Sequence, residues 1–377
     1  DTFRRLLRRH AKTNIIKLIE KTHPADMALI FRYFNDSEQD TIFAMMIPSE
    51  ETVEFLSELD ESITVRLIEN ESPTRITSIL EEASSNEQAY LMGLVDEEFA
   101  ASVIDLLQTE EQEELEEMMA YPEDSAGILM HTDVFTLHEE TQAREAIAAL
   151  QDQAEAEMVF YLYAVDDDGR LTGVVSLRDL VTTPSETMLE DIMSKNVHAV
   201  RPETDQEEVA RIVSQYNFLA VPVVDSDEQL LGIVTVDDVV DVIREEATED
   251  FLKMVGAGED REILLKSSWE NARIRLPWLF ASWVGGIIAA YIIGVFDNIL
   301  QNTIALAAFI PVIIGMGGNI GTQSSTIIVR GLATGRVGFE NSSKILFKEI
   351  RVGLILGILY GILLGLFAIF RFLDISP

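Results

Sequence analysis

The sequence contains no cysteine among its 377 residues. Disulfides, thiolate nucleophiles and zinc–thiolate sites are therefore excluded, and redox chemistry gives no clue to the compartment. Positive charge is scarce too: 28 Lys and Arg stand against 65 Asp and Glu, for a formal net charge of −37. That is the wrong sign for a polyanionic partner, so no nucleic-acid partner is expected. The P-loop pattern, His-Glu-x-x-His and Gly-x-Ser-x-Gly are all missing and the five histidines are scattered, so an enzyme is not expected. Over the first 30 residues Arg4, Arg5, Arg8 and Arg9 interrupt every apolar stretch, and no secretory signal peptide is expected.

What is present divides in two. Residues 1–260 carry 59 acidic and 18 basic side chains, whereas residues 261–377 carry 6 and 10. The second part holds three uncharged apolar runs, 276–296, 303–329 and 352–370, each long enough to cross a hydrocarbon core of roughly 30 Å as a helix. Arg273 and Arg275 precede the first run, and Arg330, Arg336, Lys344, Lys348 and Arg351 lie between the second and third, while 297–302 has no Lys or Arg. The positive-inside rule then predicts a multi-pass protein of the cell (inner) membrane with its acidic N-terminal part in the cytoplasm.

The second run is polar in its middle: Pro311, Gly315, Gly317, Gly318, Asn319, Gly321 and Gln323 interrupt the apolar residues. Irregular polar backbone at membrane depth is tolerated where protein or water covers it, so Pro311, Gly317, Gly318, Asn319, Gly321 and Gln323 are candidate ion-pathway residues. Close helix packing through Gly317 and Gly321 is the alternative. In the third run Gly353, Gly357, Gly361 and Gly365 recur every four residues without polar partners, which favours packing. None of the three runs contains an acidic residue. Carbonyls and amides can still hold the water shell of Mg²⁺, an ion that dehydrates reluctantly.

Residues 1–120 show successive short amphipathic patterns with start signals such as Ser72-Pro73, predicting an acidic all-α helical-repeat domain. From about residue 131 the chain repeats itself. Residues 164–179 match 223–238 at an offset of 59, and 134–146 match 197–209 at an offset of 63. Two stacked β-α-β-β-α modules are expected. They resemble a tandem CBS pair, whose Ser/Thr-x-x-Asp ending stands here as Ser176 to Asp179 and Thr235 to Asp238. The resemblance makes Asp179 and Asp238 candidate contacts for the ribose of an adenosine nucleotide such as ATP.

The second module ends in an acidic stripe. On a continuous helix Asp238, Asp241, Glu245 and Glu249 fall at i, i+3, i+7 and i+11, on one face. Like charges one turn apart repel, and oxygen-only donors suit Mg²⁺ or Ca²⁺ rather than zinc or copper. A solvated surface is the bland alternative.

Together these parts resemble the MgtE family of magnesium transporters or channels over essentially the whole chain. Three segments carry the likeness: Tyr121 to Met130, Glu246 to Asp250, and Pro311 to Gly335 with Met316-Gly-Gly-Asn-Ile-Gly-Thr-Gln323. The resemblance implies a multidomain membrane protein. Its expected parts are a helical domain (1–120), a linker (121–132), CBS modules (133–195 and 196–244), a connecting plug helix (245–270) and a transmembrane domain (271–377). It also implies a homodimer in a lipid bilayer, with Mg²⁺ both transported and regulatory. Asp205, Glu207, Asp238, Asp241, Glu246, Glu249 and Asp250 would be metal ligands of the sensor, and Asn217 stands where the family can place an acidic ligand. The family has five membrane helices, so a chain with three is expected to lack the last two. The expected function is Mg²⁺ uptake shut off by Mg²⁺ bound to the acidic domains. The alternative is a membrane-anchored metal or adenine-nucleotide sensor that transports nothing.

Overall fold

The computed structural model describes residues 2–152, 161–254, 266–296, 308–333 and 342–372. These fall into two compact units, Asp1–Ile243 and Arg244–Pro377.

The first unit opens with short helices: α1 (Thr2–Arg8), α2 (Lys12–Ile19), α3 (Pro24–Phe31), α4 (Asp36–Phe43), α5 (Glu50–Ser57), α6 (Glu61–Glu69), α7 (Pro73–Leu80), α8 (Ser85–Leu94), α9 (Glu97–Ile104), α10 (Thr109–Met119) and α11 (Ala126–Leu129). Their starts are encoded locally. Ser72 caps α7, with Pro73 in its first turn, and Asn35 and Ser84 form capping boxes with Glu38 and Glu87. Short helices of this kind are held by their apolar faces. Ile15, Phe31, Ile42, Val53, Leu67, Ile76 and Leu91 are buried among one another.

The repeat that follows forms two modules. In the first, β1 (Thr136–His138) leads to α12 (Ala143–Asp152), β2 (Tyr161–Val165), β3 (Leu171–Ser176) and α13 (Leu177–Thr182). Strand β1 pairs parallel with β2, which pairs antiparallel with β3. After α14 (Leu189–Ile192), the second module has α15 (Gln206–Tyr216), β4 (Ala220–Val224), β5 (Leu230–Thr235) and α16 (Val236–Met254). Here the counterpart of β1 is reduced to a single parallel bridge between Val200 and Val223.

The two modules exchange edges. His131, ahead of the first module, bridges to Ile233 of the second, and Ser194, ahead of the second, bridges to Val174 of the first. Their turns also meet, with the Leu171 amide donating to the Glu228 carbonyl at 3.0 Å. Neither repeat completes its sheet without the other. One continuous buried cluster runs from the helical domain through Ala126 and Met130 into Val209, Val221, Val234 and Val239 of the second module. The first module keeps a separate core around Leu162, Val175 and Leu180.

The second unit contains α17 (Ser268–Val295), α18 (Ile310–Ala333) and α19 (Ser342–Phe372). Among the described residues two helices, Ser268–Val295 and the Ser343–Phe370 stretch of α19, are long and apolar enough to cross a membrane. Helix α18 is uninterrupted through Gly315, Gly317, Gly318 and Gly321. The irregular backbone expected there is absent: Pro311 falls in the first turn, where its missing N–H leaves no bond unmade. The 297–302 connection, Arg336 and residues 255–265 of the expected connecting helix lie outside the described residues.

Candidate functional site

The Ser/Thr-x-x-Asp endings are, first of all, helix starts. Ser176 caps α13, accepting from the Asp179 amide at 3.1 Å and donating its hydroxyl to Asp179 Oδ2 at 2.7 Å. Thr235 repeats the pattern ahead of α16, its hydroxyl and amide donating to Asp238 Oδ2 at 2.5 and 3.1 Å. Both aspartates therefore have a local structural reason to be there.

Their surroundings differ. Asp179 is exposed. Asp238 is largely buried, and two other segments close on it: the Asn86 amide of α8 donates to Oδ1 at 3.1 Å, and His131 Nε2 lies 3.0 Å from Oδ2. A carboxylate only accepts, so His131 carries its proton on Nε2. Burial pushes the Asp238 carboxyl up. The hydrogen bond and charge of His131 and the two bonds from Thr235 outweigh it and hold the group below its usual range. With three donors on Oδ2 and one on Oδ1, little acceptor capacity remains for a further ligand.

The other expected ligands lie apart. Asp205 caps α15, accepting from the Glu207 amide at 2.8 Å; both are exposed. Asp241 is exposed on α16, Glu246 and Asp250 are half-buried, and Glu249 pairs with Lys253. Among the described residues no group of three or more His, Asp or Glu is placed to hold a metal ion. Asn217 closes α15 in the left-handed region at φ 55°, a position where Asn is favoured whatever it ligates. Asp166 and Asp225 stabilise turns: Oδ1 of each accepts two amides at 2.8–2.9 Å.

In the second unit α18 packs on α19 through Ile320 and Ser324. A Cβ on Gly353 would lie 4.0 Å from Ile320, whereas Gly357, Gly361 and Gly365 have no such neighbour. Asn319 and Gln323 remain exposed on α18.

Sequence reasoning did not foresee the part of Asn86 and His131. Asn86 is a buried polar residue in a helix and His131 stands at the end of the linker, but only the fold carries either to Asp238.

An acidic helical domain sharing a core with a CBS-like repeat, followed by apolar membrane-length helices, defines a membrane protein with a large part outside its apolar helices. Residues 22–124 match the MgtE intracellular N domain, 126–186 and 189–245 the CBS domain, and 310–376 the divalent cation transporter domain called MgtE. The chain is 36% identical to the magnesium transporter MgtE of Thermus thermophilus over 92% of its length and 78% of that protein's. It is 32% identical to that of Bacillus subtilis over 93% and 78%. The chain belongs to the MgtE family of magnesium transporters. Among solved structures, the cytosolic domain of the Mg²⁺ channel MgtE in complex with ATP matches at 34% identity and a TM-score of 0.61, over 64% of this chain and 98% of that one. The soluble part of a magnesium transporter matches at 30% and 0.58, over 65% and 97%.

Proposed function

We propose that this chain forms a homodimeric Mg²⁺ channel or transporter of the cell membrane, taking up Mg²⁺ and shut off by it from the cytoplasmic side. In this reading α17, α18 and α19 all span the bilayer, and residues 245–270 connect gate to sensor. Residues 1–120, 121–132, 133–195 and 196–244 are the helical domain, linker and two CBS modules. Pro311, Gly317, Gly318, Asn319, Gly321 and Gln323 line the route on α18, whose exposed amides suit a hydrated ion.

One observation carries the gating half of the reading: Asp238 is touched at once by α8, by the linker and by the start of α16. The start of α16 is thereby tied to the helical domain. Asp241, Glu246, Glu249 and Asp250 along α16, with Asp205 and Glu207, offer the carboxylate oxygens that a hard divalent ion prefers. Since one chain gathers no three of them, their coordination would be completed between domains or subunits. Unscreened, these carboxylates repel one another and hold the soluble parts of two subunits apart. Neutralised, they let those parts close. A coupling free energy of about 1–3 kcal/mol would change the open population roughly 5- to 150-fold. Bound ATP would meet Asp179, whose carboxylate is exposed, more readily than Asp238, whose acceptor sites are mostly taken.

The test is Mg²⁺ flux in proteoliposomes holding the full-length protein, with Mg²⁺ varied independently on the cytoplasmic side. Flux that falls as cytoplasmic Mg²⁺ rises through the millimolar range is the expected result. Absence of any flux would leave a sensor that does not transport, and flux indifferent to cytoplasmic Mg²⁺ would remove the gate.

A further inference from the structure

One part of the acidic helical domain has the opposite sign. Residues 1–21 carry seven Lys and Arg against two acidic side chains, whereas residues 22–124 carry three against 27. The three later bases are each paired: Arg32 with Asp60 at 2.9 Å, Arg66 with Asp40, and Arg75 with Glu71 at 2.5 Å. Around α1 and α2 the pattern reverses. Arg4 comes no nearer to a carboxylate than 3.9 Å, at Glu38, and Arg5, Arg8, Arg9, Lys12, Lys17 and Lys21 are exposed with no ion-pair partner among the described residues.

Helix α1 is two-sided. At about 100° per residue, Arg4, Arg5 and Arg8 share one arc of the helix and Phe3, Leu6 and Leu7 the opposite one. Phe3 is buried and meets Phe34 edge to face at 5.9 Å, which seats the apolar arc on the domain and leaves the three arginines exposed. Apolar surface stands beside them. The Arg4 guanidinium donates to the carbonyl of Tyr33, in the turn after α3, and Tyr33 is 76% exposed; Leu29, in the last turn of α3, is 58% exposed. A single bare apolar side chain is ordinary. An aromatic ring and a leucine next to unpaired arginines form the two halves of an interfacial site, since the guanidinium fork matches phosphate oxygens and the apolar groups suit the boundary between headgroups and acyl chains.

We propose that the basic surface of α1 and α2, with Tyr33 and Leu29 at its edge, docks on the anionic phospholipid headgroups of a bilayer. Lipid fits this surface better than an acidic protein does. A second acidic surface would satisfy the bases and leave Tyr33 and Leu29 bare, and the chain's own apolar helices keep headgroups at high effective concentration. The rest of the helical domain is strongly acidic and is repelled by the same headgroups, so the contact also orients the domain. The segment precedes the match to the MgtE intracellular N domain, which begins at residue 22, and its docking does not depend on whether the chain carries an ion.

The test uses the full-length protein in nanodiscs of phosphatidylcholine, or of phosphatidylcholine with about one third phosphatidylglycerol. Trypsin reads the surface without any substitution, because its targets are the bases themselves. Cleavage between Arg5 and Lys21 should be about fivefold or more slower in the anionic nanodiscs, with exposed Arg178 as the unchanged internal reference, and the difference should vanish in about 0.5 M KCl. A second measurement follows the apolar edge. The chain has no cysteine, so Tyr33→Cys accepts a single environment-sensitive fluorophore. Its emission should be quenched about twofold or more by acyl-brominated lipid in anionic nanodiscs only, and the quenching should be lost on adding Arg5→Glu and Arg8→Glu. Equal cleavage and equal quenching in the two compositions would overturn the proposal. Protection that is the same in both compositions but grows with protein concentration would also overturn it and would assign the bases to the acidic surface of a second copy. The salt response of the unsubstituted protein keeps the test decisive even if the charge-reversed protein does not fold.

Discussion

Asn86 and Asp238 lie 152 positions apart in the chain and are joined by a 3.1 Å hydrogen bond from the side-chain amide to Oδ1. The bond ties α8 of the helical domain to the first turn of α16. Asn86 is itself buried, so removing it leaves an acceptor stranded as well as a small void. Asn86→Ala should cost about 1–3 kcal/mol, measured by urea denaturation of residues 2–254. Asn86→Asp should cost more at neutral pH, since it replaces the donor with a like charge. Equal stability of all three proteins would show that the bond does not hold the domains together.

The same carboxylate makes stability depend on acid. Asp238 is held below the ordinary Asp value of 3.8 in the folded chain. A depressed folded value means that the unfolded chain takes up the proton first. The stabilisation is therefore complete above about pH 4 and is lost as pH falls through the unfolded and then the folded value. Melting temperature should drop more steeply below pH 4 in the parent protein than in Asp238→Asn, measured by circular dichroism in buffers of matched ionic strength. Parallel curves would assign the acid sensitivity to other carboxylates.

Gly173 and Gly232 occupy equivalent places in the two repeats, and both lie under the crossing segment from the other module. A Cβ on Gly173 would come within 2.5 Å of the Met193 sulfur, whereas on Gly232 it would come within 2.7 Å of the His131 carbonyl oxygen. The Met193 sulfur and Cγ can swing aside, leaving its Cβ at 2.9 Å as the residual close contact, whereas backbone in a bridged strand cannot yield. Gly232→Ala should therefore be destabilising by roughly 3 kcal/mol or more and Gly173→Ala by about 1 kcal/mol. Met193→Ala should relieve part of the latter, removing the sulfur and Cγ contacts while the Cβ stays, and none of the former. Thermal denaturation of the four proteins decides it, and similar losses at the two glycines would contradict the assignment of rigid and flexible neighbours.

The contrast shows how much a sequence of this kind discloses. Helix starts were legible at Ser72-Pro73, because capping is local, and the repeat was legible at offsets of 59 and 63, because both copies solve the same packing problem. Two of the three expected spans, the first and the third, recur among the described residues as helices of membrane length. The Asp238 site was legible only in half. Its spacing from Thr235 is local, but its contacts with Asn86 and His131 depend on which module receives the crossing segment, and no periodicity encodes that. Pro311 misled for a related reason: its effect depends on where the helix begins, and α18 begins at Ile310.

The proposed sensor makes one demand that separates ion binding from general screening. Asp241 is exposed on α16, and Glu246 and Asp250 are half-buried on the same helix, which also carries Glu249. Any salt shortens the reach of their repulsion, with a Debye length near 10 Å at 0.1 M, but only a divalent ion can be coordinated by several carboxylates at once. Limited proteolysis of residues 2–254 should therefore slow as Mg²⁺ rises through the millimolar range and should not slow in KCl of equal ionic strength. Neutralising Asp241, Glu246 and Glu249 to their amides should abolish the Mg²⁺ effect while leaving the KCl response small. Protection that KCl reproduces would reduce the stripe to a solvated surface, and protection that survives the triple substitution would place the sensing carboxylates elsewhere in the acidic domains.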